Sequence, residues 1–248
     1  MPAKRINVHE VREMVGELVW SVAKGWGRAE RVALGPLTAL RWIVHVPEGM
    51  ARWRAERRLR RAERALVAAG VGRVVLRPDF PCRELLRVLR PVDVLPFWRE
   101  AADVLALGAL AAQGVEPRRG RVALSAPRLC PELIGAARRL CPQVRGLLID
   151  APGGGEYARR LQKEFGLPVT PPAAGADATV ALGPGGGRWG RSVELYGAGS
   201  LGGLRLKAEG IDLPADCADQ VLALLWERGE LKRGTLCARL IDRPEERV

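Results

Sequence analysis

Histidine is nearly absent from this sequence: His9 and His45 are the only two. A catalytic triad or a histidine-rich metal centre would have to be built on one of them. Lysine is almost as scarce, with Lys4, Lys24, Lys163, Lys207 and Lys232 making up the whole supply. The five cysteines, Cys82, Cys130, Cys141, Cys217 and Cys237, form an odd set with no CxxC pair and no histidine at metal-ligand spacing. They read as free buried thiols, and no metal is expected. Long apolar runs are missing too. The longest, Val104 to Ala112, contains Gly108 and falls far short of the roughly 20 residues needed to cross a bilayer, so no membrane contact is expected. Met1 to Asn7 is basic but leads into an amphipathic stretch instead of an apolar h-region. No secretory signal is therefore expected, and the cytoplasm is the expected location.

What is present is an ordinary globular composition. Apolar residues make up 48% of the 248, which is enough to bury one large core or two small ones. The net charge of +12 comes almost wholly from arginine. An arginine bias alongside abundant Ala, Gly and Pro is what a GC-rich genome supplies through its codons, so part of this charge carries no message about partners. The remainder makes a surface that attracts anions, with nucleic acid or a phosphorylated ligand as the natural candidates.

The spacing of Val8, Val11, Val15, Leu18 and Val22, after Asn7 as N-cap and Glu10 three residues on, predicts a first helix ended by Gly25 and Gly27. Arg31 to Leu34 and Leu40 to Val46 read as a strand pair around Gly35 and Pro36. Met50 to Ala69 is a second helix with the narrow seam Ala55, Leu59, Ala62, Leu66 and Ala69. Its outer face carries seven arginines, from Arg52 to Arg64, against Glu56 and Glu63. A strand at Arg73 to Leu76 and a short helix at Arg83 to Leu89 follow, and the domain boundary is set at Pro91. Residues 1–91 are thus a small α/β domain and 92–248 a second one.

The second part opens with a long helix, Pro96 to Gln113, apolar almost all round after Val104. Strands at Arg121 to Leu124, Gly146 to Asp150, Leu167 to Thr170 and Ala178 to Leu182 then alternate with helices at Glu132 to Leu140 and Glu156 to Phe165. Alternation with short connections implies parallel strands. The tail reads as a hairpin of Val193 to Tyr196 with Leu204 to Lys207, a helix from Asp216 to Arg228 and a last strand at Thr235 to Ile241.

In a parallel sheet the ligand crevice lies beyond the carboxyl ends of the strands. The residues there are Ser125 and Arg128 after the first strand, Asp150 with Gly153, Gly154 and Gly155 after the second, and Gly185, Arg188 and Arg191 after the fourth. Gly153 to Gly155 reads either as an anion cradle at a helix N-terminus or as a flexible turn. Gly183 to Arg191, which includes Trp189, suits stacking and phosphate contact, and equally a solvated connection. Asp150 accepts ribose hydroxyls or merely ends a strand. The arginine helix reads as a solvated face, or as a phosphate-contacting ridge of Arg54, Arg57, Arg58 and Arg61 aided by Trp53.

The block from Pro96 to Pro184 resembles the nucleotide-binding half of the shikimate dehydrogenase and related amino-acid-dehydrogenase-like families. The likeness rests on the long leading helix, the strand Arg121 to Leu124, Asp150, the run Phe165-Gly166-Leu167-Pro168-Val169, and Ala176-Asp177-Ala178-Thr179-Val180. The resemblance implies a Rossmann-like parallel sheet and an NAD(P) or other nucleotide cofactor. Those families open the first strand-to-helix turn with glycines that let the backbone approach a pyrophosphate. Here the turn is Ser125-Ala126-Pro127-Arg128-Leu129-Cys130-Pro131, with no glycine and two prolines. Proline removes an N–H donor and stiffens the turn, which argues against dinucleotide binding. Those families also use a lysine from the preceding domain, and no lysine lies between Lys24 and Lys163 here. The chain is similar, too, to uncharacterised proteins of clostridial bacteria, a likeness that implies no activity.

Three readings stay open at this point. The first is a degenerate Rossmann-like α/β protein that binds or scaffolds without dinucleotide chemistry. The second is an enzyme holding a nucleotide or phosphorylated small molecule in a cleft between domains through Arg128, Asp150, Arg188 and Arg191. The third is a nucleic-acid-associated protein.

Overall fold

The stretch Met14–Ser21 forms a strand, β1, and not the expected helix. Its helical spacing is a by-product of position: β1 is the central strand of a sheet, and Val15, Gly16, Glu17 and Leu18 are buried in succession. A strand buried on both faces loses the alternation that identifies strands in sequence. The computed structural model describes residues 14–78, 80–166 and 175–241, so Asn7, Val8, Glu10 and Val11 of that expected helix lie outside the described residues. Gly25 and Gly27 belong to the connection leading to β2, Ala29–Leu34.

By contact density the chain divides into two units, Met1–Asp93 with Ile211–Leu224, and Val94–Gly210 with Leu225–Val248. A single cut after residue 91 does not provide for the return of Ile211–Leu224 to the first unit. In that unit β2 and β3 (Leu37–His45) form the expected antiparallel hairpin. Helix α1 (Arg52–Ala68) follows, then β4 (Val71–Leu76) and the two-residue β5 (Arg90–Pro91). The sheet order is β2-β3-β1-β4-β5, with β1 parallel to both its neighbours. The α1 seam Ala55, Leu59, Ala62 and Leu66 is buried, and Leu59, Ala62 and Leu66 share one core cluster with Leu18, Trp42, Val44 and Val74. Where a helix was expected at Arg83 to Leu89 there is one 3-10 turn, Arg83–Leu85.

Two buried carboxylates organise this unit. Glu17, opposite Arg41 in the β1–β3 register, accepts its Nε–H at 2.7 Å. Glu63 projects from α1, and its Oε1 accepts the N–H groups of Arg87, Val88 and Leu89 at 2.7–3.0 Å. Burial pushes the Glu63 carboxyl up, but these three backbone donors outweigh that and hold it below the usual carboxylate value. Within Ile211–Leu224, Gln220 exchanges two hydrogen bonds with the backbone of Leu76, and Asp216 lies 3.1 Å from Arg77.

The second unit begins with α2 (Leu95–Glu100) and α3 (Ala102–Ala111), where a single long helix was expected. At the break the Glu100 carbonyl is taken up by the side chains of Arg139 and Arg233 instead of the helical ladder. Then come β6 (Arg121–Ser125), α4 (Pro131–Leu140), β7 (Gly146–Asp150), α5 (Gly154–Phe165), β8 (Ala178–Ala181) and β9 (Arg191–Glu194). The expected strand Leu167 to Thr170 lies outside the described residues. The sheet order is β7-β6-β8-β9 and every pairing is parallel, a Rossmann-like α/β arrangement. Val193 and Leu195 do alternate inward, but β9 pairs with β8 instead of forming the expected hairpin. β10 (Leu204–Ala208) pairs antiparallel with β11 (Leu236–Leu240). Helix α6, Ala218–Glu227, precedes β11 and ends in this unit. The apolar α3 is buried, and a Cβ on Gly108 would meet that of Ala238 at 2.5 Å. Buried Asp103 is paired with Arg139 and Arg233.

Candidate functional site

The strand order places a topological switch between β6 and β8, because the chain leaves β6 for β7 and then returns past β6 to β8. A crevice beyond the carboxyl ends of those strands is where this architecture binds ligands. Ser125 ends β6 and Asp150 ends β7, opposite each other in register. Between Ala181 and Arg191 the connection is made by residues 182–190 without the helix that parallel crossovers usually employ.

This loop fills the crevice. Gly183 rests on Pro127 so closely that a Cβ would come within 2.3 Å of its ring. A Cβ on Gly186 would fall 1.5 Å from Ser125 Oγ, so only glycine passes there. The next residue, Gly187, donates its N–H to Asp150 Oδ2 at 2.6 Å. Further along, the buried hydroxyl of Thr179 accepts from Trp189 N–H at 2.8 Å and donates to Trp189 C=O at 2.7 Å. Ser125 Oγ, with no exposed surface, has no hydrogen-bond partner among the described residues.

The site residues expected from sequence divide accordingly. Ser125 and Asp150 come together with Gly186 and Gly187, two glycines of the loop that follows the fourth expected strand. Gly185 tops that loop with a positive φ of 91° and open space around it. Gly153 caps α5 in the left-handed region, and Gly154 packs on the Ile149 backbone. Arg128 is exposed in the turn after β6. Arg188 is committed to Glu194 and the Tyr196 hydroxyl, at 2.8 and 2.9 Å. Arg191 corrects the sequence expectation: it begins β9, opposite Ala178, and so stands at the amino edge of the sheet, bonded to the Gly202 carbonyl. Arg128, Asp150, Arg188 and Arg191 therefore do not converge on one anion.

On α1, Arg54, Arg57 and Arg61 are exposed, and Arg58 is half-buried with one N–H on the His45 carbonyl. Arg41 is absorbed by Glu17, and His45 Nδ1 lies 3.2 Å from the Ala23 carbonyl. Burial pushes the thiols of Cys141 and Cys217 up to about 11 and raises Cys130, which makes them poor nucleophiles. Among the described residues no group of three His, Cys, Asp or Glu is placed to hold a metal ion. No helix among them is long and apolar enough to cross a membrane.

No protein family matches the chain, and no curated protein does. Among solved structures it is similar to L-tryptophan dehydrogenase from Nostoc punctiforme, at 14% identity and a TM-score of 0.28. The match covers 68% of this chain and 55% of that one, so the chain spans little more than half the length of that enzyme.

Proposed function

We propose that the second unit is a Rossmann-like module that has given up dinucleotide chemistry, and that the protein works in the cytoplasm as a binding or structural component. One observation carries this reading: the segment Gly186–Gly187 occupies the switch-point crevice, with the Gly187 N–H on the Asp150 carboxylate. An aspartate at the end of the second strand is where this architecture takes a ribose hydroxyl. Here that acceptor serves the protein's own backbone. The first turn supports the same conclusion, since Pro127 and Pro131 stand where a pyrophosphate needs glycine N–H donors. Five free cysteines fit a reducing compartment.

Titration calorimetry of the purified chain with NAD, NADP and ATP tests it. The expected result is no heat of binding at millimolar nucleotide. Micromolar affinity that disappears in Asp150→Ala would overturn the reading and restore the crevice as a working nucleotide site.

A further inference from the structure

We infer that the outward face of α1 is a docking track for single-stranded nucleic acid, a site in the first unit that is independent of the filled crevice. The helix turns its apolar seam to the sheet, which leaves Trp53, Arg57, Arg60 and Arg64 as a ridge pointing directly away from the core. Arg54, Arg58 and Arg61 line the flank facing β3. Neither acidic residue of the helix neutralises this row. Glu56 is 3.2 Å from Arg52, one turn back, and Glu63 is spent on the backbone of Arg87, Val88 and Leu89. Among the described residues, Arg57, Arg60 and Arg61 have no carboxylate within ion-pair distance. Arginines three and four residues apart on one helix repel, so the face is built against its own local stability and is complementary to a polyanion.

The aromatic content selects the kind of polyanion. Trp53 is 59% exposed and Trp26 is 85% exposed, unusual for the residue with the largest apolar surface. The Arg54 guanidinium lies 5.1 Å from the Trp53 ring centroid, which places cation and π surface together. On the β3 side of the ridge a concavity of about 440 Å³ is lined by Met50, Trp53, Arg54, Arg57, Arg58, Arg61 and Arg64, with no acidic residue in its wall, whereas the hollow on the other side of the ridge includes Glu56 and Glu63. A smaller hollow shares Arg58 and Arg61 with the β3-side concavity and ends at Trp26. The two together make a path with an indole at each end and arginines between. Phosphates on arginine with unpaired bases on exposed indoles is the chemistry of single-strand binding. A duplex keeps its bases stacked inward and cannot use the tryptophans.

Fluorescence anisotropy of labelled oligo-dT and oligo-rU, each about twelve nucleotides to fill one track, tests the assignment on the full chain. Binding of either strand is expected, and their relative affinity assigns DNA or RNA. The affinity should fall with salt by about 0.7 log units per log unit of salt for each phosphate neutralised. Arg54→Ala/Arg57→Ala/Arg61→Ala should bind at least tenfold more weakly, with a salt slope shallower by about 2. Trp53→Ala and Trp26→Ala should each weaken binding several-fold while leaving that slope unchanged. Arg118→Ala/Arg119→Ala/Arg159→Ala, three exposed arginines of the other unit, should bind as the parent does. The proposal is overturned if neither strand binds at low salt, or if both triple variants lose affinity equally. It is also overturned if a duplex of the same length competes as well as the single strand and the tryptophan variants bind like the parent.

Discussion

The carboxyl edge of the parallel sheet and the outer face of α1 carry similar chemistry in sequence: arginines and a tryptophan within a few residues. In the folded protein they are opposites. At the sheet edge the chain itself takes up the groups that could meet a ligand: Asp150 by Gly187 and Arg188 by Glu194, with the loop that covers them pinned by Thr179 to Trp189. On α1, Glu56 pairs with Arg52 alone and Glu63 is held by backbone N–H groups, which leaves Arg57, Arg60 and Arg61 without a carboxylate partner among the described residues. A group's availability, and not its residue type, is what marks a site, and availability is a property of the fold.

Substitutions can break or sharpen this contrast. The largest effect is expected at Gly186→Val, where the added carbons meet Ser125 and the loop must lift; a loss of about 3 kcal/mol in urea unfolding is expected, at the upper end for overpacking. Glu63→Gln should cost about 2 kcal/mol at neutral pH, because a charged acceptor of three buried N–H groups is replaced by a neutral one. Its pH dependence has a definite sign. The folded carboxyl lies below its ordinary value of 4.5, so its contribution is complete above that value and is lost as pH falls through the lower folded one. Acid titration of stability should therefore be flatter in Glu63→Gln than in the parent below pH 4.5. Asp150→Ala should cost about 1–2 kcal/mol by orphaning the Gly187 N–H. Ser125→Ala should be neutral or stabilising by up to about 1 kcal/mol, since it removes a buried hydroxyl without a partner. Smallest of all, Arg57→Ala and Arg61→Ala should each change stability by less than about 0.5 kcal/mol, as exposed residues do.

How much of this was legible in sequence depended on how local the cause was. Strand β7 and helix α1 were readable because Gly146 to Asp150 is a short apolar run between turns and the seam Ala55, Leu59, Ala62 and Leu66 is strictly periodic. β1 was misread because a central strand buried on both faces has no alternation to offer. For β9, alternation of Val193 and Leu195 fixes which residues turn inward, but not which strand lies alongside. The glycine run Gly183 to Gly187 was visible as unusual, whereas its task of covering Ser125 and Asp150 requires residues some 60 and 37 positions apart to meet. Nothing local marks Trp26 as exposed, because exposure is not written in residue type.

Hydrogen exchange of the loop 182–190, resolved at the Gly187 and Trp189 amides, tests the filled crevice most directly. Both amides should be protected by Asp150 and Thr179, and saturating NAD should leave that protection unchanged. Exchange at the rate of an open chain, or protection that changes when NAD is added, would contradict the account and show the crevice to be free for a ligand.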